Sequence, residues 1–112
     1  MEVSFLKQNE QLMLVVLEGH LEVFDATTLD DQLQSLVDEG YINFVVDLSK
    51  IIFMGSTCLK TLIKLYRRTK QVGGVVKLIE PQNSAIRRVL YITQFDHIFG
   101  LYQTVDEALS FF

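Results

Sequence analysis

Three short, almost wholly apolar runs alternate with stripes of helical period along this chain, and that alternation restricts the fold more than any other feature. The first run, Gln11 to Glu18, is apolar from Leu12 through Leu17 and closes at Gly19. A β-rich run of that length reads as a strand buried on both faces. The second is Asn43 to Leu48 and the third Val75 to Ile79, which Pro81 ends. Between them, Leu29, Leu33, Leu36 and Val37 recur at helical spacing after Asp25, a candidate N-cap, and before Gly40, a candidate C-cap. Ser56 to Gln71 carries the stripe Leu59, Leu62, Ile63 and Tyr66 and stops at Gly73 and Gly74. Strands separated by helices pair in parallel through crossover connections.

The flanks complete the pattern. Glu2 to Asn9 alternates and suits an edge strand beside the first run. Asn83 or Ser84 can cap a helix bearing Ile86, Val89, Leu90 and Thr93. Ile98 to Tyr102 reads as a short strand. Thr104 and Glu107 have the spacing of a capping box before Val105, Leu109 and Phe112. The expectation is α/β: one domain over residues 1–112, a small mixed β-sheet with about four helices packed on it. The role of Phe111 and Phe112, core or contact surface, stays open.

Composition and charge exclude several function classes. No apolar run reaches the roughly 20 residues that span a bilayer, and the first residues lack the basic and apolar regions of a signal peptide. The expected location is therefore the cytoplasm, without membrane insertion. Cys58 is the one cysteine and His20 and His97 stand apart, so no disulfide, metal site or cofactor is expected. No nucleophile has a base at a recognisable spacing and no Gly-rich phosphate loop occurs, which argues against an enzyme. The net charge of -4 argues against nucleic acid. That charge is unevenly spread: Lys7 is the only basic residue up to Leu48, whereas Lys60, Lys64, Arg67, Arg68 and Lys70 crowd one later helix. Those five form either a solvated face or a partner-binding face.

Chemistry concentrates in the segment Ile51 to Leu59, where an apolar run feeds Gly55 and two hydroxyl residues open a helix. Ser56 or Thr57 is either the helix N-cap or a modification site beside unpaired amides and the positive end of the helix dipole. A phosphate there would add about -1.5 to -2 charges in a favourable field. Gly55 permits a tight turn. Cys58 is either a thiol of lowered pKa in the first turn or a small buried side chain.

The same segment, Phe53-Met54-Gly55-Ser56-Thr57-Cys58-Leu59, resembles the Phe/Tyr-Met-Asp-Ser-Ser/Thr-Gly-Leu signature of STAS-domain anti-sigma-factor antagonists. Leu17 to Glu22 resembles the Leu-x-Gly-x-Leu-Asp of that family, and Phe44 to Ser49 its central strand. Gly73 and Gly74, Ala85 to Leu90, and Ile98 to Leu109 follow in family order, so the resemblance covers essentially the whole chain. It implies a bacterial regulator of transcription that works by protein–protein interaction. Ser56, with Thr57 beside it, would be phosphorylated by a partner kinase that is also the anti-sigma factor. A metal-dependent Ser/Thr phosphatase would reset it, completing a partner-switching cycle. The implied docking surface comprises Gly19, His20, Glu22, Gly55, Ser56, Thr57, Cys58 and Lys60, on a monomer or weak dimer. Gly55 and Cys58 depart from the family aspartate and glycine. The alternative implied reading is a fixed STAS subunit of a larger assembly, such as an ABC-type lipid transporter or a stress-sensing complex.

Overall fold

The computed structural model describes residues 2–112, apart from the side chains of Val23 and Phe24. Five strands form one sheet in sequence order: β1 (Glu2–Lys7), β2 (Leu12–Leu21), β3 (Asn43–Met54), β4 (Val75–Ile79) and β5 (Gly100–Tyr102). β1 runs antiparallel to β2, and every later pair is parallel. The helices are α1 (Val23–Asp38), α2 (Ser56–Gln71), α3 (Ser84–Ile92), α4 (Phe95–Ile98) and α5 (Val105–Leu109).

The apolar runs are continuous because both sheet faces are covered. Met13, Val15 and Leu17 of β2, Phe44, Val46 and Leu48 of β3, and Val76 and Leu78 of β4 share one face. They pack against Leu29 and Leu33 of α1, Leu62 and Leu65 of α2, and Leu90 of α3. Alternate residues Leu12, Leu14, Val45 and Ile79 form the second core with Ala108 of α5. A strand with period 2 and two covered faces needs apolar side chains at every position. Phe99 closes the larger core, with its ring edge-on to Tyr66 at 5.4 Å.

Several boundaries differ from the sequence expectation. Asp25 does not cap α1. Glu22 is the N-cap, and the Asp25 carboxylate receives the Glu22 amide at 2.9 Å from inside the first turn. An acid at that position serves the helix dipole as well as the cap. The described residues hold five helices, the about four expected plus the single turn Phe95 to Ile98, which follows where Gln94 reverses the chain at φ 62°. That turn shortens the expected strand at Ile98 to Gly100–Tyr102. Asn83 caps α3 by accepting from Ala85 and Ile86, and Thr104 accepts from the Glu107 amide at 3.1 Å.

The basic helix has mixed partners. Lys64 pairs with Asp30 and Arg68 with Asp38, each at 2.9 Å, which fastens the outer edge of α2 to acidic α1. Exposed pairs of this kind contribute about 0.2–1 kcal/mol each. Lys70 lies 5.5 Å from the Tyr66 ring centre. Lys60 and Arg67 have no ion-pair partner among the described residues.

Lys77 interrupts the apolar run of β4 and is nevertheless buried. Its ammonium reaches the Ala108 carbonyl at 3.3 Å and sits 3.9 Å from the Phe112 ring centre, with Tyr102 and Phe111 also within 5.5 Å. Ring faces attract a cation and replace part of its lost hydration. Burial holds this amine below the usual lysine range. The terminal phenylalanines are therefore contact groups for Lys77, although both stay exposed.

The two glycines after α2 have different physical jobs. Gly73 has φ +79° with open space around it. At Gly74 an added Cβ would lie 1.8 Å from the Ile42 carbonyl oxygen, so the chain entering β4 passes too close for any side chain. Gly73→Ala is expected to cost about 1 kcal/mol in urea unfolding, the penalty of a left-handed residue. Gly74→Ala is expected to cost about 3 kcal/mol, because backbone must move. A smaller loss at Gly74 than at Gly73 would contradict the close approach.

Candidate functional site

The candidate residues come from two stretches far apart in sequence that parallel pairing places side by side. β2 and β3 leave the sheet on the same edge, with His20 opposite Phe53 and Leu21 opposite Met54. Carboxyl ends of parallel strands are where open α/β sheets place their binding loops. The Gly55 amide then donates to the Leu21 carbonyl at 3.0 Å, which joins the two exits. Gly19 has φ +87° at a register shift in β2, a conformation that disfavours any residue with a Cβ. β2 therefore does not end at Gly19 but kinks there and continues to Leu21.

β3 likewise continues past Leu48 to Met54. Ile51 points inward, whereas Ile52 and Phe53 are 59% and 48% exposed. The His20 ring stacks on Phe53 with centroids 6.4 Å apart and planes 29° apart. Sequence reasoning missed this apolar edge. The sequence held no clear signal of it, since an unbroken apolar run equally marks a strand covered on both faces.

α2 starts at Ser56, and Gly55 is its N-cap with φ -75° and ψ 163°. Neither Ser56 nor Thr57 is the cap, contrary to that reading of the two hydroxyls. Ser56 is exposed, and its hydroxyl has no hydrogen-bond partner among the described residues. Thr57 is half-buried. The first turn of α2 holds no acidic residue, and Lys60 lies one turn further along the same face. Gly55 is not required by a tight turn either, because its dihedrals are open to any residue. An added Cβ there would meet only the Leu21 oxygen at 3.6 Å and a Phe53 ring carbon at 3.9 Å.

Cys58 is 1% exposed and cannot itself meet a partner. Its thiol donates to the Leu21 carbonyl at 3.4 Å, beneath the surface that Ser56 and His20 form. Burial, and then the Asp25 carboxylate, push its pKa up. Of the two readings of Cys58, the small buried side chain holds and the thiol of lowered pKa does not, because loss of water outweighs the dipole. Gly19, His20, Glu22, Gly55, Ser56 and Thr57 gather at one end of the sheet, and Lys60 extends that surface along α2. No helix of the described residues is long and apolar enough to cross a membrane.

This geometry agrees with comparisons to known proteins. The STAS domain family model matches residues 5–108. A Thermotoga neapolitana protein provisionally named an anti-sigma factor antagonist is 33% identical over 74 residues, 66% of this chain. The match spans 65% of that relative's own length. The anti-sigma-F factor antagonist RsfB of Mycobacterium tuberculosis is 28% identical over 93 residues, covering 82% of this chain and 74% of its own. The anti-sigma factor antagonist SpoIIAA, in its unphosphorylated form, superposes with a TM-score of 0.87 at 15% identity, over 96% of this chain and 93% of its own. Its phosphorylated form superposes with a TM-score of 0.79 at 14% identity, over 97% of each chain. With the five-stranded mixed sheet, the helix opening at Ser56 and a family match across residues 5–108, the chain belongs to the STAS domain family.

Proposed function

We propose that this chain is an anti-sigma-factor-antagonist-like regulator that binds a Ser/Thr protein kinase serving as anti-sigma factor, and that phosphorylation of Ser56 switches the binding. The observation that carries the reading is the state of Ser56: exposed, first in a 16-residue helix, and not engaged in capping. Its neighbours support it. His20, Phe53 and Ile52 offer an apolar edge, Glu22 and Lys60 offer charges, and Gly55 and Thr57 complete the surface. The protein acts by binding rather than catalysis, in the cytoplasm, as a monomer or weak dimer, and a metal-dependent Ser/Thr phosphatase returns it to the binding form. The names of RsfB and SpoIIAA, and the existence of SpoIIAA in a phosphorylated form, support the assignment.

A phosphate at Ser56 would lie at the positive end of α2, where an anion gains about 0.3–1 kcal/mol. It would also place about -1.5 to -2 charges on a surface otherwise suited to neutral contact. The switch is then electrostatic and leaves the core untouched.

One feature favours a second reading, the fixed subunit of a larger assembly. Gly55 leaves Ser56 without the neighbouring carboxylate of the family signature. In that case Ser56 stays unmodified and docking is permanent.

Peptide mass spectrometry of the protein from its native host separates the two: phosphate on Ser56 supports the switch, and an unmodified Ser56 across growth conditions supports the fixed subunit. With a purified partner kinase, Ser56→Ala is expected to bind at least about tenfold more tightly than Ser56→Asp, since an added interfacial charge costs a few kcal/mol. Equal affinities in calorimetry would sink the switch.

Gly55→Asp is expected to fit without strain and to raise the melting temperature by about 1–3 °C, because aspartate caps better than glycine by a few tenths of a kcal/mol. A lower melting temperature would show that the site is tighter than its geometry indicates.

A further inference from the structure

A groove of about 520 Å³ runs between α2 and the turn that joins α3 to α4. Its floor is apolar: Leu59 and Ile63 from α2, and Phe95, buried at the start of α4. Thr93 closes the far wall, and Val89, one turn before it, is 40% exposed. Lys60, Lys64 and Arg67 line the near rim. Spaced four and three residues apart, they form one row about 10 Å long on a single helix face. Lys64 is neutralised by Asp30, but Lys60 and Arg67 have no ion-pair partner among the described residues. The groove is open along its length, which leaves a small ligand poorly covered and suits an elongated one.

From this geometry we infer that the groove receives an acidic, apolar-faced helix of the protein partner. The partner's apolar residues cover Leu59, Ile63 and Phe95, and its carboxylates meet Lys60 and Arg67. Helix-in-groove recognition uses anchors at i, i+3, i+4 and i+7, and a groove bordered by a row of cations selects an acidic helix over a basic one. The inference rests on the reading that the start of α2 meets a protein partner. It extends that contact from the Ser56 end along the helix, since Lys60 belongs to both surfaces.

The test is a titration of the isotopically labelled full chain with an acidic amphipathic peptide of about 14 residues, leucines at i, i+3, i+4 and i+7 and glutamates on the flanks. Amide shifts are expected at residues 59–67 and 93–95. The exposed double variant Lys60→Glu, Arg67→Glu is expected to lose at least about tenfold in affinity while keeping its thermal melt. A peptide with lysine for every glutamate is expected not to bind. Ser56→Asp is expected to keep the peptide, so loss of groove binding and loss of the Ser56 switch are separate results. Equal binding of the two peptides, no shifts at millimolar peptide, or shifts elsewhere would overturn the inference. Concentration-dependent broadening of the groove amides without peptide would also overturn it, by giving the groove to a second copy of the chain.

Discussion

Parallel pairing of β2 with β3 holds the candidate site together. Both strands run toward the same edge, so residues near 20 and residues near 55 meet there through backbone bonds rather than side-chain chance. One carbonyl concentrates this constraint. The Leu21 oxygen accepts the Gly55 amide at 3.0 Å and the Cys58 thiol at 3.4 Å, so the end of β2, the start of α2 and its first turn share one anchor. A buried carbonyl with two lone pairs filled is costly to expose, and that cost resists separation of the two loops.

Around this anchor, α2 separates stability from recognition. Its inner residues, Leu62 and Leu65, lie in the main core, and its outer rim is tied to α1 by Lys64 and Arg68. In its first turn Cys58 belongs to the core, whereas the Ser56 side chain belongs to neither set. Ser56 is exposed, and the buried Cys58 below it needs no particular charge above. A negative group placed on Ser56 would therefore alter the field at this surface without reorganising the fold. That division is what a binding surface with a reversible charge requires.

Much of this architecture was legible in the sequence, because strands covered on both faces need unbroken apolar runs and amphipathic helices need periodic ones. The span of α2, Ser56 to Gln71, was legible, but its buried face only in part: of the stripe Leu59, Leu62, Ile63 and Tyr66 only Leu62 is buried, and Cys58 and Leu65 complete the inner face. The ends of β2 and β3 were not. Gly19 looks like a stop, yet its φ of +87° makes a kink that the partner strand follows. Ser49 and exposed Lys50 look like a turn, yet β3 passes through them, paired on one side only by β2. The cap of α1 was misplaced by three residues because Asp25 bonds backward to Glu22 instead of opening the helix itself. Lys77 was invisible as a buried cation, since its aromatic neighbours come from β5 and the last two residues, which only the folded sheet brings near.

Among the candidate residues, the sequence singled out Ser56 and His20 but could not tell a cap from a free hydroxyl. That distinction depends on the dihedrals of Gly55, which place it just outside the helix and Ser56 just inside. The same dihedrals bear on the missing carboxylate. At φ -75° and ψ 163° the backbone would accept aspartate, so glycine here is a difference in chemistry and not a demand of the fold. An N-cap carboxylate would attract the free amides of the first turn and compete for them with any anion on Ser56. It would also repel that anion across a single residue. Without it, the amides and Lys60 remain the nearest fixed charges on that helix. Glycine in place of the signature carboxylate therefore lowers the electrostatic cost that a phosphate at Ser56 would meet.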